Sequence, residues 1–387
     1  MANSLTNLIP STVQAFDVVS RELVGFIPSV NRDPRADRVA KNQTLYSFSS
    51  PAATLSDITP GAASPSAGDK TIGNKSLTIS NYKMTDFYFT GEEEYALTSS
   101  SGNYGNIVTD MIEQGIRAIV NQMESDIWTA ANLGASRAYG TVATTPFTTN
   151  TGEAAQIKKI LDDNGAPAGS RSLIIDTTTG AQIRTLTQLA KVNEAGSSMT
   201  LRDGELLNLS GLSVKESAQI SSFTKGTLAS SPTVNNAGYA IGATTLTLTA
   251  SVGTGTILAG DVLTFAGDTN QYVVATGNAD VSAGNTIVLQ APGLRKAMSA
   301  ATKAIVIIAT SNRNIAFSRN AILLATRLPA VPTGGDIADA RETITDSRSG
   351  ISIELAAYRQ YRQIRYELSC AWGVSVIKPE HIAALLY

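Results

Sequence analysis

The sequence contains few of the side chains on which enzyme catalysis usually depends. One histidine, His381, and one cysteine, Cys370, occur among its 387 residues. A hydrolytic triad requires a histidine near its nucleophile, and no Gly-x-Ser-x-Gly turn is present to carry a serine. One histidine and one cysteine also cannot supply the ligands of an ordinary structural zinc site. We therefore predict no catalytic, metal-binding or cofactor-binding residues, and no enzyme activity.

Other residues with chemical potential favour structural roles. The acids Glu92-Glu93-Glu94 could bind a hard cation, but they lack the interleaved spacing of a calcium loop, so we interpret them as a solvated turn before a helix. The glycines of Gly253-Thr254-Gly255 match neither a dinucleotide-binding motif nor a phosphate loop, and we interpret them as turn residues. His381 is expected in the first turn of a helix, and Cys370 as a small buried residue.

The stretch Tyr358–Tyr366 interleaves tyrosines with Arg359, Arg362 and Arg365. Aromatic and basic residues in this arrangement are typical of surfaces that bind single-stranded nucleic acid. The same alternation also describes a strand with one packed face and one solvated face. We favour packing, with the arginines forming ion pairs between subunits.

The composition limits the class of protein that these residues belong to. Hydrophobic residues make up 43% of the chain and charged residues 16%, with a formal net charge of −2. This hydrophobic content can form two or three folding units and excludes disorder, while the charge excludes a strongly basic nucleic-acid binder. The longest strongly apolar run, Ala304–Ala309, is far shorter than the roughly 20 residues of a membrane-spanning helix. With no basic, apolar leader at the start, we expect a soluble protein that is not exported.

Two appendages are predicted in the first quarter of the chain. Phe16, Val19 and Leu23 have helical spacing, and the charged segment 31–41 that follows them indicates a linker, so together they predict an arm. Two extended stretches, Thr44–Ser49 and Ser76–Thr90, predict a long β-hairpin. The segment Pro51–Lys75 between them is too rich in Pro, Gly, Ala and Ser to order itself. The hairpin carries three aromatic interface candidates: Tyr82, Phe87 and Phe89.

A body of helices and strands follows. Residues Asn103–Ala131 predict one long helix, with isoleucines and methionines on one side and charged residues, including Glu124, on the other. A helix at Glu153–Asp163, a buried strand at Ser172–Ile175 and a helix at Gly180–Lys191 predict an α+β unit.

The composition changes near Lys225, and short alternating runs rich in Thr, Val and Gly continue to about Lys303. They predict a small all-β module inserted into the α+β host. We expect the apolar run Ala304–Ala309 to be a buried strand that rejoins the host sheet, and Ile351–Ile377 to be a long extended end. The strands predicted inside the module are Thr245–Thr249, Val262–Ala266, Gln271–Ala275 and Asn285–Gln290.

In this order the elements resemble the major capsid proteins of tailed bacteriophages, which have the HK-ninety-seven type of fold. Thr245–Thr249 followed by Leu258–Gly267 is similar to the opening hairpin of an extra β-domain that one group of these coat proteins carries. Ala316–Pro329 is similar to a segment that many members carry after that domain. Glu367–Glu380 is similar to the way such proteins end. The resemblance covers nearly the whole chain by order of elements.

The resemblance implies an α+β fold with a fixed division of the chain. The inserted module would lie on the outer surface, and the hairpin and the arm would cross neighbouring subunits. The implied divisions are an N-terminal arm at 1–41, an extended hairpin loop at 42–95, the spine helix and peripheral domain at 96–150, an axial domain at 151–224 and 304–340, an inserted β-domain at 225–303 and peripheral C-terminal strands at 341–387.

The resemblance also implies function and partners. The chain would assemble as hexamers and pentamers into the icosahedral capsid of a virion, built in the cytoplasm of a bacterial host around double-stranded DNA. Because the leading segment is short, a separate scaffolding protein is expected, together with a portal and possible decoration proteins. Contacts with DNA would be weak and blind to sequence. No membrane partner is implied.

Three alternatives remain open at the level of sequence. The Thr- and Gly-rich β-segment is also typical of phage tail or adhesin proteins. A shell of the same fold can enclose cargo enzymes in an encapsulating compartment. An enzyme with a carboxylate site at Glu92–Glu94 is the least favoured.

Overall fold

The computed structural model describes residues 22–49, 55, 72–101, 104–187, 208–229, 232–346 and 349–387. In the first part of the chain the elements are β1 (Asn31–Val39), β2 (Thr44–Ser49), β3 (Gly73–Thr78), β4 (Asn81–Thr90), α1 (Gly91–Ser101), α2 (Tyr104–Leu133) and β5 (Arg137–Gly140). They are followed by α3 (Gly152–Asp163), β6 (Arg171–Ile175), α4 (Thr177–Thr185), β7 (Ser213–Glu216), β8 (Ser222–Phe223) and β9 (Thr233–Val234).

Strands dominate the rest of the chain. They are β10 (Thr245–Thr247), β11 (Val262–Phe265), β12 (Gln271–Thr276), β13 (Thr286–Leu289), β14 (Lys303–Ile307), β15 (Ser311–Ser318), β16 (Ile322–Pro329), β17 (Ala340–Thr345), β18 (Ser352–Gln360), β19 (Gln363–Val376) and β20 (Ile382–Leu386). Short 3-10 helices occupy Val281–Ala283, Arg319–Ala321 and Pro379–His381.

The long helix predicted at Asn103–Ala131 is confirmed as α2, and it packs on a sheet with the order β1-β16-β19-β18-β17. The strand β4 pairs with β19 in the same sheet. Gly115 lets the helix approach closely, since a Cβ atom there would lie 2.8 Å from Thr85 Cγ2. Ile119, Met123 and Trp372 belong to the main core between helix and sheet. The predicted extended end at Ile351–Ile377 is confirmed as the antiparallel pair β18 and β19.

The predicted α+β unit is confirmed around a second sheet, in which β7, β6, β15, β20 and β5 are neighbours. The strand β6 is buried along its whole length, as expected, and α3 matches its predicted range. The helix predicted at Gly180–Lys191 begins earlier, at Thr177, because the Asp176 carboxylate caps it by accepting from the Thr178 and Thr179 backbone N–H groups. Residues 188–191 of that prediction lie outside the described residues.

The β-module has its own hydrophobic core, which includes Leu246, Phe265 and Ile287. The four predicted strands are confirmed as β10, β11, β12 and β13. Pairing of β12 with β5 makes the module continuous with the second sheet. The prediction that Ala304–Ala309 rejoins the host is wrong, because β14 pairs with β11 and β9 inside the module. Val306 is 61% exposed on this strand. The run is apolar on both faces, so its pattern did not show which face was buried.

The segment 31–41 is not a linker. It contains β1, which pairs in parallel with β16 at the edge of the first sheet. Two of its arginines are hydrogen-bonded there, since Arg32 Nη1 donates to the Ser349 carbonyl at 2.8 Å and Arg38 Nη1 donates to the Pro329 carbonyl at 2.7 Å. The arm was therefore predicted too long, because its last part belongs to the body.

The helix predicted for the arm from the spacing of Phe16, Val19 and Leu23 does not include Leu23. Residues 22–25 are not helical, and a turn follows in which Val30 N–H donates to the Phe26 carbonyl. Phe26 and Ile27 are fully buried in the main core. The arm residues Phe16 and Val19 lie outside the described residues.

The predicted hairpin is shorter than expected. Strand β2 pairs with β3 over Thr44–Ser49 and Gly73–Thr78, and the chain then turns at Ile79 and Ser80. Ile79 is buried and exchanges backbone hydrogen bonds with residues 42 and 43, which ends the hairpin. The second half of the predicted strand is β4, which lies in the first sheet. Tyr82, Phe87 and Phe89 are therefore on the sheet and not on the hairpin.

Candidate functional site

The β2–β3 hairpin is buried at its root and exposed along its length. At the root, Leu77 and Ile79 pack against Val39 in a small separate cluster. Beyond it, Tyr46 is 65% exposed and Phe48 is 84% exposed. Because side chains alternate along a strand, these two aromatic rings lie on one face of the hairpin. An isolated two-stranded hairpin is marginal in water, and paired exposed aromatic rings mark a contact surface.

A buried carboxylate ties the hairpin root to the body. Glu354, on β18, is 3% exposed and receives two arginines. Arg38, near the root, lies 2.5 Å from one carboxylate oxygen, and Arg341 lies 2.6 Å from the other. Hydrogen bonds between ionised groups are the strong ones, and two cations offset the cost of burying this anion. The hairpin therefore leaves the sheet from a fixed base.

The aromatic residues of β4 are used mainly inside the chain. The Phe87 ring stacks on Tyr366 with centroids 5.2 Å apart, and the Phe89 ring meets the edge of Tyr104 at 5.4 Å. Phe89 is only 7% exposed, so its own chain buries it and little of the ring is left for a neighbouring subunit. Tyr82, at 36% exposed, retains surface for a neighbour. Burial raises the pKa of the Tyr104 hydroxyl.

The structure brings the predicted arginines to one end of the first sheet. Arg359 pairs with Asp339 at 3.3 Å, and Arg365 Nε lies 3.0 Å from Asp86 Oδ2, an ion pair without a well-directed hydrogen bond. The Arg362 guanidinium lies 5.9 Å from the ring centroid of Tyr361, which is 88% exposed. Exposed ion pairs contribute little to stability, so these arginines do not hold the fold together.

The acids Glu92–Glu94 form the first turn of α1 and not a turn before a helix. Glu93 is 5% exposed, and its carboxylate accepts from the Thr90 backbone N–H at 2.8 Å. The Thr90 hydroxyl in turn accepts from the Glu93 backbone N–H at 3.3 Å, which completes a capping box. The sequence signal for this cap, Thr90-x-x-Glu93, was present and missed. Among the described residues no group of three or more His, Cys, Asp or Glu side chains is placed to hold a metal ion.

The side chain of Glu124 is the main functional feature that the sequence analysis missed. It was assigned to the polar side of α2, but it is fully buried. Its carboxylate accepts from the backbone N–H groups of Ile27 at 2.7 Å, Phe26 at 3.1 Å and Gly25 at 3.3 Å, and from the Ser217 hydroxyl at 2.8 Å. Burial raises the pKa of this carboxyl, while the hydrogen bonds oppose that rise.

A sequence signal for this burial exists. Glu124 lies four residues after Val120 and four before Trp128, both of which are buried on the helix. Residues three and four apart share a helix face, so Glu124 belongs on the apolar face of α2. An acid at such a position requires polar partners, and the segment 25–27 supplies them.

A second contact fixes the same segment. Arg117 Nε donates to both carboxylate oxygens of Glu22, at 2.9 and 2.8 Å, and Asn121 donates to Glu22 at 2.7 Å. The hydrogen bond from Arg117 is the main cause that lowers the pKa of Glu22 to about 2. The segment 22–30, which we call the anchor segment, is thereby held along α2. The predicted interface residue Leu23 lies within it and is 49% exposed.

One buried cation joins the β-module to the body. Arg313, on β15, is fully buried and donates to the Asn132 side chain at 2.9 Å and to the Gly260 carbonyl at 2.5 Å. Its guanidinium lies 4.1 Å from the centroid of the Phe223 ring. Burial lowers the pKa of Arg313 to about 10. Its polar neighbours come from distant parts of the chain, so no local pattern predicts this joint.

The other residues considered for chemistry in the sequence lie in the core or in turns. Cys370 is fully buried, as predicted, and burial raises the pKa of its thiol to about 12. His381 ends the 3-10 turn Pro379–His381, and burial lowers its pKa. Gly253 and Gly255 have positive φ angles, of 81° and 94°, in agreement with their prediction as turn residues. In the described ranges no helix is both long enough and apolar enough to cross a membrane.

Comparison with known proteins gives a structural likeness only. No family model matches the chain, and no curated protein matches it. The capsid structure of the cyanophage P-SCSP1u matches with a TM-score of 0.53 and 11% identity, covering 100% of this chain and 95% of that one. A chain from Mycobacterium phage Che8 matches with a TM-score of 0.50 and 13% identity, covering 99% of this chain and 98% of that one. The predicted fold is confirmed, since the chain has the α+β fold of tailed-phage capsid proteins.

Proposed function

We propose that this chain is a major capsid protein that assembles as hexamers and pentamers into an icosahedral shell around double-stranded phage DNA. The observation that carries the proposal is the capsid fold, which extends over 100% of this chain and 95% of its cyanophage counterpart. The protein would act as a structural component of the virion and catalyse no reaction.

The distribution of rigid and exposed parts supports this role. A shell places one sequence in slightly different surroundings, so its subunit needs a rigid body with projecting contact elements. The core between α2 and the first sheet supplies the body. The hairpin, with Tyr46 and Phe48 exposed on one face, supplies a projecting element that a neighbouring copy would cover.

We assign the predicted interface residues to three contacts. The arm residues Phe16 and Val19 would lie against a neighbour, starting from the point where the anchor segment fixes Glu22. Tyr82 would contribute from the exposed part of β4. At the end of the first sheet, Arg362 and Arg359 would exchange their weak local contacts for ion pairs between subunits. Arg365, beside Asp86, would contribute to the same contact.

The division of the chain is part of the proposal. The unit of α3, β6, α4 and β7 would be the axial domain nearest the centre of each capsomer, and α2 with the first sheet would be the peripheral domain. The β-module would be an inserted domain on the outer surface. Pairing of β14 inside the module favours an end near residue 310 in place of Lys303. A loop at Val192–Asp203 would line the centre of the capsomer, and these residues lie outside the described part of the chain.

We propose several partners beyond further copies of the chain. A separate scaffolding protein would guide assembly in the bacterial cytoplasm, and a portal would occupy one vertex. A decoration protein is compatible with an external module. Packaged DNA would be contacted weakly, since tight binding would obstruct its release and the net charge of −2 gives no strong overall attraction.

Two other functions are disfavoured by specific observations. A tail or adhesin protein would not need the long helix α2 or the complete capsid fold. An encapsulating compartment shares this kind of body, so the contents of the particle decide between it and a virus. The Glu93 carboxylate caps helix α1, so an enzyme built on Glu92–Glu94 would have one of its three acids already engaged.

Expression of the full chain in a bacterium, with and without a scaffolding gene from its own genetic neighbourhood, tests the proposal. Negative-stain electron microscopy should show closed, evenly sized icosahedral shells in at least one condition. Fibres, open tubes or monomers in both conditions would contradict it. Particles purified from infected cells should contain double-stranded DNA, and shells filled with a cargo enzyme would instead favour the compartment.

A further inference from the structure

A group of three cations lies where β1, β7 and the turn Arg319–Ala321 meet. Lys215 is on β7, beside Ile174 of β6 in the sheet register. Arg32 is on β1, which contacts the turn that begins at Arg319. Each residue comes from a different element, so the fold and not a local run of basic sequence brings the three charges together.

Each of the three residues makes one hydrogen bond to the body of the protein. Lys215 Nζ donates to the Ser29 hydroxyl at 2.9 Å, and Arg32 Nη1 donates to the Ser349 carbonyl at 2.8 Å. The Arg319 backbone N–H donates to the Ser170 carbonyl at 3.0 Å, while the Arg319 side chain is exposed. The side-chain partners of Lys215 and Arg32 are neutral oxygens, which leave their positive charges uncompensated by these contacts.

The electrostatics agree with the geometry. Partial burial is the main cause that lowers the pKa of Lys215, and the charges of Arg319 and Arg32 lower it further. The acid that opposes them is Glu124, whose carboxylate is fully buried and already accepts four hydrogen bonds. Like charges held close together raise the free energy of the site, and a bound anion would relieve that cost.

We infer that Arg32, Lys215 and Arg319 form a phosphate-binding site on the body of the protein. A phosphate group suits the three residues, because its several oxygens can accept from an ammonium and two guanidinium groups at once. The Lys215 ammonium donates one N–H to Ser29, and its other two N–H groups can donate to the ligand. The phosphodiester backbone of packaged DNA is one source of this chemistry, and that assignment rests on the proposed function. Free phosphate is the other source.

The unassembled full chain can be tested with a short fluorescent DNA duplex by anisotropy over a range of salt concentrations. The double variant Lys215→Gln/Arg319→Gln removes two charges and leaves the Arg32 bond to the body intact. We expect the slope of the logarithm of affinity against the logarithm of salt to fall by about 2, one for each lost phosphate contact. The matched control Lys159→Gln/Lys296→Gln removes two exposed lysines outside the proposed site and should leave the slope unchanged.

Inorganic phosphate, followed by phosphorus NMR line broadening, separates the two sources. Broadening that the Lys215→Gln/Arg319→Gln variant removes, together with the loss of duplex affinity, supports recognition of the DNA backbone. Broadening without any duplex binding assigns the site to free phosphate. If neither probe distinguishes this variant from the wild-type chain, the inference is wrong, and normal shells formed by the same variant would leave the proposed capsid function intact.

Discussion

The anchor segment and the β2–β3 hairpin both have the sequence of an appendage, yet the fold treats them differently. The anchor segment buries Phe26 and Ile27 in the main core and is held by Glu124 and by the pair of Glu22 with Arg117. The hairpin buries only its root and leaves Tyr46 and Phe48 exposed. The difference lies in the polar contacts. Glu124, a buried acid on α2, satisfies the backbone of the first segment. Among the described residues, no buried acid does the same for the outer part of the hairpin.

Among the changes to the anchor segment, removal of the Glu124 carboxylate should lower the free energy of unfolding the most. The variant Glu124→Leu leaves three buried backbone N–H groups and the Ser217 hydroxyl without their acceptor. At about 1–3 kcal/mol for each unsatisfied buried group, we expect the free energy of unfolding to fall by about 4 kcal/mol. Urea unfolding of the unassembled chain measures it.

The matched control is Glu113→Leu, an exposed acid on the same helix. Its free energy of unfolding should change by no more than about 0.5 kcal/mol. Equal losses in the two variants would show that Glu124 has no special role in holding the anchor segment.

Acid should loosen the anchor segment by a smaller amount through Glu22. Its pKa is lowered to about 2 in the folded chain from a usual value of 4.5, so its stabilising contribution is present above pH 4.5. That contribution is lost as the pH falls from about 5 towards 2. The protection of residues 22–30 from hydrogen exchange, taken relative to the intrinsic exchange rate at each pH, should therefore fall over this range in the wild-type chain more than in Glu22→Gln, which already lacks the charge. An identical pH dependence in both chains would contradict the assignment.

Periodicity predicted the elements whose partners are local or whose pattern is long. Helix α2, the pair β18–β19 and the strands of the β-module were found because their apolar residues repeat with a helical or a two-residue spacing. The strand β1 was missed because its partner, β16, is far along the chain and its own residues are charged. The break between β3 and β4 at Ile79 and Ser80 was missed because neither glycine nor proline occurs there, and Ser80-Asn81 is a weaker turn signal.

The candidate sites were less predictable than the fold. Exposed aromatic residues were expected on an extended hairpin, but Phe87 and Phe89 proved to be sheet residues, and the exposed pair is Tyr46 and Phe48. An apolar side chain on a strand shows that it will be buried, but not whether its own chain or another copy will bury it. Only the three-dimensional position of the strand separates these cases.

The most direct test of the account is the double variant Tyr46→Ser/Phe48→Ser, measured in two states. In the unassembled chain its free energy of unfolding should match that of the wild type within about 0.5 kcal/mol, since both rings are exposed there. Electron microscopy of the same variant should show no closed shells under conditions in which the wild type forms them. Normal shells, or a marked loss of stability in the unassembled chain, would contradict the claim that these two rings are reserved for a neighbouring copy.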